Sequence, residues 1–133
     1  MQTGFINPPE LCPTSGWTHV ATVSGGKTIY ISGQVSINER GEVVGPGDLR
    51  KQTWQAFENV RLALAAAGAT FQDVVKTNLY VVGLKSEHVP IIRQVRSQFV
   101  RADHPPVSTL VGISALVGPD WLIEIEAVAV VAE

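Results

Sequence analysis

Apolar positions recur along the chain with two different periods, and the switches between them mark out the elements. Residues 18–23 (THVATV) and 27–34 (KTIYISGQ) are rich in β-branched and aromatic side chains and flank Gly25-Gly26, which predicts a β-hairpin. Residues 37–48 (INERGEVVGPGD) are punctuated by Gly41, Gly45, Pro46 and Gly47 and read as a loop. Beyond it the period lengthens: Phe57, Val60, Leu64 and Ala67, with Trp54 extending the stripe, predict an amphipathic helix that begins at an Asp48 cap and stops at Gly68. Residues 71–83 (FQDVVKTNLYVVG) return to alternation, with Val75, Thr77, Leu79 and Val81 on one side. A second helix follows, capped near Ser86, with Pro90 in its first turn and Ile92, Val95 and Phe99 as its stripe; RADHPP (101–106) ends it. Strands over 107–117 and 121–131, split by the GPD turn, complete a β-β-α-β-α-β-β order.

The last strand is the unusual one. In WLIEIEAVAVV, Leu122, Glu124, Glu126, Val128 and Val130 share one face, and Trp121, Ile123, Ile125, Ala127 and Ala129 share the other. Two carboxylates thus stand on an otherwise apolar face, where an unpartnered charge costs several kcal/mol or a raised pKa, on the order of the desolvation of a buried ion. Glu126 is expected at a sheet edge or in a pairing with a basic neighbour. Both helices should pack on one face of a mixed sheet, giving a two-layer α+β domain over residues 1–133. The opposite sheet face then stays bare and apolar, which predicts self-association.

Composition narrows the function classes. The chain has 133 residues, 45% apolar and 17% charged, with a formal net charge of −2. Nothing in this balance favours disorder, and it provides no electrostatic case for nucleic acid, which asks for a basic face. The single cysteine, Cys12, cannot form an internal disulfide and reads as an inert thiol. The N-terminus lacks the basic start and apolar segment of a signal peptide, and no apolar run reaches the roughly 18 residues of a membrane span. The cytoplasm is the expected location. His19, His88 and His104 have no metal-ligand spacing, so no metal is expected.

Four segments together carry a family resemblance: YISGQ (30–34), AFENVRLALAAAGATFQDVVKTNLYV (56–81), HPPVSTLVGISAL (104–116) and IEIEAVAV (123–130). They resemble the RidA/YjgF/UK114 family, also called endoribonuclease L-PSP, over nearly the whole chain. The resemblance implies a chorismate-mutase-like (YjgF-like) fold, a homotrimer whose sheets form a central β-barrel with helices outside, and small-molecule ligand clefts between subunits. It implies no cofactor. The well-characterised branch hydrolyses reactive imines and enamines to 2-keto acids and ammonia; other members are described as ribonucleases or translation inhibitors.

Carried over by position, Glu124 corresponds to the glutamate that orients the attacking water, Trp17 to an aromatic near the cleft, and Ser32 and Gly33 to the SG pair that lines it. The family's P-A-R-[ST] segment corresponds to PVST, Pro106 to Thr109. Ser108 therefore stands where the carboxylate-gripping arginine belongs, and Leu110 where the family has a cysteine. The branch implied is one lacking the substrate-binding arginine. Serine offers one short hydroxyl and no charge, so the implied substrate shifts from a small 2-imino carboxylate to a neutral or bulkier imine, enamine or related metabolite. Glu124 is the implied general base and then acid, its partly apolar surroundings expected to raise its pKa. A non-catalytic binding protein of the same fold is the alternative. A ribonuclease is the weakest reading, since the charge is acidic and no histidine pair or basic groove is in view.

Overall fold

A computed structural model describes residues Met1–Glu133. Its strands are β1 (Gln2–Ile6), β2 (Val20–Ser24), β3 (Lys27–Gln34), β4 (Val74–Val82), β5 (Val107–Ile113) and β6 (Ile123–Val131). The helices are α1 (Leu49–Ala66) and α2 (His88–Arg96). A four-stranded mixed sheet runs in the order β3-β6-β4-β5, antiparallel except for the β4–β5 pair, which α2 connects. β1 and β2 form a separate two-stranded antiparallel sheet.

The expected hairpin between residues 18–23 and 27–34 does not form. Gly25 and Gly26 do adopt positive φ (72° and 82°), but each flanking strand takes another partner. β2 pairs with the N-terminal strand β1, which the sequence reading missed, and β3 pairs with β6 in a register that sets Lys27 opposite Val131.

Both helices lie on one face of the four-stranded sheet, as their stripes require. Phe57, Val60 and Leu64 of α1 and Ile92 and Val95 of α2 are buried against Leu79, Val81, Ile123, Ile125, Ala127 and Ala129. Phe57, Phe71 and Phe99 form a ring cluster at one end of this layer, with Phe57 and Phe99 stacked 5.3 Å apart. Several boundaries shift. Trp54 does not extend the buried stripe; it is 44% exposed and meets Phe99 edge-on. A 3₁₀ turn at Phe71–Asp73, capped by Thr70, precedes β4. A register shift between Val74 and Lys76 then puts Val74, not Val75, in the core. α2 has no side-chain cap at Glu87, the residue that precedes it.

Gln52 supplies the link between α1 and the start of β6. It is fully buried; its Nε2 donates to the carbonyls of Gly45 (3.2 Å) and Asp120 (3.0 Å), and its Oε1 accepts from the Leu122 amide (2.9 Å). Three backbone groups, one in the loop before α1 and two at the entry to the last strand, depend on one side chain. Replacement by a leucine of similar volume leaves them without partners in a dry setting, where each costs about 1–3 kcal/mol. Gln52→Leu is expected to lower unfolding free energy by roughly 3 kcal/mol in urea titrations at fixed protein concentration. A change below about 0.5 kcal/mol, the size of a neutral surface substitution, would show that the three bonds do not set the strand's anchorage.

Candidate functional site

Strand parity divides the sequence-selected residues between the two faces of the four-stranded sheet. Across β4, Thr77 is opposite Ser108 of β5, and Tyr80 is opposite Glu124 of β6. Thr77 is buried beneath the helices together with Leu79 and Val81, so Ser108 and Leu110 face the helix layer. Tyr80 points the other way with Lys76 and Asn78, and so do Glu124 and Glu126. Trp17, Ser108 and Leu110 therefore form one group, and Ser32, Gly33 and Glu124 the other.

On the helix side, Trp17, Ser108 and Leu110 line a cavity of about 190 Å³ whose remaining wall is α2: Val89, Ile92, Arg93 and Arg96. Trp17 is delivered there by its neighbour. The Thr18 amide donates to the Pro106 carbonyl (3.2 Å) and its hydroxyl to the Pro105 carbonyl (2.6 Å), which ties the 7–19 loop across the start of β5. The indole meets His19 edge-on at 4.7 Å between centroids. The Ser108 hydroxyl accepts a hydrogen bond from Thr77 Oγ1 at 3.1 Å.

On the uncovered face, β3 carries a bulge. Ile31 pairs with Ala127 and Gln34 with Ile125, so Ser32 and Gly33 together oppose Glu126. Glycine is required at the second position of this pair, because a Cβ on Gly33 would overlap the Glu124 carboxylate. Beside it lies a cavity of about 360 Å³ lined by Tyr30, Ser32, Lys76, Asn78, Glu126 and Val128, among others. Glu124 borders this region through Gly33. The face is less uniformly apolar than the sequence reading expected: Tyr30 is 79% exposed and Val111 also stands open, but Lys76, Asn78, Tyr80 and the two glutamates interrupt them.

Glu126 is fixed within the chain. Its Oε1 accepts from the Tyr80 hydroxyl (2.5 Å) and from Asn78 Nδ2 (3.0 Å). These bonds, Tyr80 first, hold its carboxyl below the ordinary glutamate range against the opposing effect of burial, and the Lys76 charge adds to them. The same contact pushes the Tyr80 phenol up. No group of histidine, cysteine, aspartate or glutamate is placed to hold a metal ion, and no helix is long and apolar enough to cross a membrane.

The sequence reading missed Arg96, Thr18, Asn78 and Tyr80. Thr18, Asn78 and Tyr80 act through long-range pairings that carry no local signal. Arg96 did carry one: it lies four residues after Ile92, which places a cation in the buried stripe of α2.

Comparison with known proteins agrees on one lineage. The sequence profile of the endoribonuclease L-PSP family matches residues 10–131. A Dermatophagoides farinae protein named 2-iminobutanoate/2-iminopropanoate deaminase is 32% identical over 127 residues, covering 96% of this chain and 95% of that one. An Acinetobacter baylyi protein named 3-aminoacrylate deaminase RutC is 31% identical, covering 92% and 90%. The crystal structure of YyfB from Yersinia pestis, a Rid-family protein of unknown function, superposes with a TM-score of 0.93 at 37% identity, covering 98% of this chain and all of that one.

The Glu126 bonds give a pH dependence whose sign is fixed. A carboxyl whose folded pKa is depressed contributes stability above its unfolded value, about 4.3 for glutamate, and loses it as pH falls through the lower folded value. Tyr80→Phe removes the principal donor. The Glu126 carboxyl ¹³C titration is expected to move to higher pH in that variant, with a smaller loss of stability on acidification. An unchanged midpoint would show that the phenol does not hold the carboxylate.

Proposed function

The chain belongs to the endoribonuclease L-PSP family, also known as RidA/YjgF/UK114, and on that premise we propose that it hydrolyses a small reactive imine or enamine with release of ammonia, in clefts completed between copies of the chain. The single observation that carries the reading is the Glu124 carboxylate set against the Gly33 bulge, on the sheet face that no helix covers. The names of the two deaminase relatives support the reaction class.

The chemistry asked of Glu124 is modest. Its carboxylate accepts a proton from a water molecule as that water attacks the C=N carbon; an enamine first gains a proton at carbon to become the imine. The nitrogen takes the proton held by Glu124, which gives the neutral tetrahedral carbinolamine; Glu124 then passes that intermediate's hydroxyl proton to the nitrogen as the C=O bond forms, the C–N bond breaks and ammonia leaves. The product is a carbonyl compound. Gly33 matters here because only a residue without a side chain leaves the carboxylate its place. Glu126 lies one strand repeat further on, roughly 6.5–7 Å away by strand rise, with one oxygen already engaged by Tyr80 and Asn78. It is assigned a structural role.

A composite site is supported by the division between faces. Trp17, Ser108 and Leu110 look toward α2, whereas Glu124, Ser32 and Gly33 look away from it. One ligand touching both groups requires two copies, and the uncovered face with exposed Tyr30 and Val111 offers a surface for them to meet. We assign the trimer and central barrel of the family to this chain on that basis, together with Ser108 in place of the family's arginine.

Light scattering is expected to give about three times 14.3 kDa. In that assembly, ammonia release from enzymatically generated imines should fall at least a hundredfold in Glu124→Gln, within the usual range for loss of a general base, roughly 10²–10⁴. Glu126→Gln should retain turnover. Normal turnover by Glu124→Gln would remove the catalytic assignment; no turnover by the wild type across such a panel would leave a binding protein of the same fold.

A further inference from the structure

Arg96 is a charged side chain without a partner. It is only 8% exposed, yet its guanidinium makes no salt bridge and no hydrogen bond. No polar side-chain atom sealed from solvent lacks a partner, so its N–H groups are the ones that open onto the adjoining space. That space is the cavity of Trp17, Ser108 and Leu110 and a second one, of about 260 Å³, bounded by Ser15, Gly16 and Arg101. Arg96 borders both, Arg93 borders both, and no carboxylate lines either. Arg101 is already paired with Asp103 at 2.7 Å.

The fold makes room for this group. Gly16 has φ 77°, and a Cβ there would come within 2.7 Å of an Arg96 terminal nitrogen. A left-handed glycine thus seats the guanidinium at the mouth of the Trp17 loop. An uncompensated buried cation is costly, and a second guanidinium beside it adds repulsion. Burial, and then the Arg93 charge, push the Arg96 guanidinium below its ordinary pKa. Such an arrangement is relieved by an incoming anion, and a planar guanidinium matches a carboxylate through two parallel N–H···O bonds.

We infer that Arg96, seated on Gly16 and facing Ser108 and Trp17, is the anchor for the carboxylate of a small anionic ligand, supplied by α2 rather than by β5. This rests on the deaminase reading of the same cleft and deepens it. The substrate class changes accordingly: not the neutral imine that a serine at position 108 implies, but a carboxylate-bearing one gripped from the opposite wall. Ser108, its hydroxyl already bonded to Thr77, leaves the volume that such a ligand occupies.

The test is binding, separate from turnover. Calorimetric titration of the intact protein with 2-oxobutanoate, the carboxylate product of a 2-imino acid, is compared with the neutral 2-oxobutanamide and with inorganic phosphate. The wild type is expected to bind the carboxylate at least tenfold more tightly than the amide. Arg96→Met should erase that preference, with thermal stability kept or raised because an unpaired buried charge has gone, whereas a merely structural arginine would lose stability on substitution. Arg96→Lys should retain part of the preference. Equal binding of acid and amide by the wild type, an unchanged preference in Arg96→Met, or tighter Arg96-dependent binding of phosphate would overturn the assignment. If the wild type releases no ammonia from any imine but keeps the Arg96-dependent preference, the deaminase reading falls and the anion anchor stands.

Discussion

The parity of one strand governs this molecule. β6 lies between β3 and β4, and its odd-numbered residues, Ile123, Ile125, Ala127 and Ala129, are needed to close the layer beneath α1 and α2. A one-residue slip would carry two glutamates into that layer, a loss of several apolar contacts together with two ion-desolvation penalties. The register is therefore held firmly, and Glu124 and Glu126 are committed to the face without helices. The bulge at Ser32–Gly33 and the Gln52 bonds near the strand's start both act on this same strand.

The two carboxylates answer the same constraint differently. Glu126 is satisfied within the chain by Tyr80 and Asn78 on the neighbouring strand. Glu124 is in register with Tyr80 as well, but the phenol hydroxyl is spent on Glu126, and Glu124 instead rests against a glycine. A carboxylate held in place but left without a protein donor is available to bind a water or ligand proton. On the other side of the sheet Arg96 is a cation in the complementary condition. Arg96, buried without a partner, is an incomplete interaction that costs stability in the isolated chain, and such costs persist at functional sites.

Much of this could be read from the sequence because it is periodic. The Phe57–Val60–Leu64 stripe, the Ile92–Val95 pair and the alternation of 121–131 each predicted the face they occupy. The two-layer α+β arrangement with both helices on one side followed from them. What failed was partner choice and irregularity. Glycines at 25 and 26 signalled a hairpin, but a distant N-terminal strand won β2. The shift between Val74 and Lys76 replaced Val75 by Val74 in the core, and a bulge has no periodic signature. For the site, family resemblance selected six residues that lie beside cavities or at the Gly33 bulge, yet alignment by position cannot reveal that they stand on two faces. It also drew attention to position 108, where the resemblance leads one to expect an arginine and the chain has Ser108, and away from Arg96, which lies in a helix that the resemblance did not single out.

In the proposed assembly the cleft is built by two copies, one presenting Glu124 and the other the wall of Trp17, Ser108 and Arg96. Subunit mixing tests it most directly. Glu124→Gln and Arg96→Met chains, each impaired alone, are unfolded together in equal amounts and reassembled. If neighbouring copies share each site, random assembly restores both wild-type residues to about a quarter of the sites, and ammonia release should rise toward that fraction of the wild-type rate. If each chain builds its own site, no chain carries both residues, and the mixture should do no better than the mean of its parents, which would contradict the account.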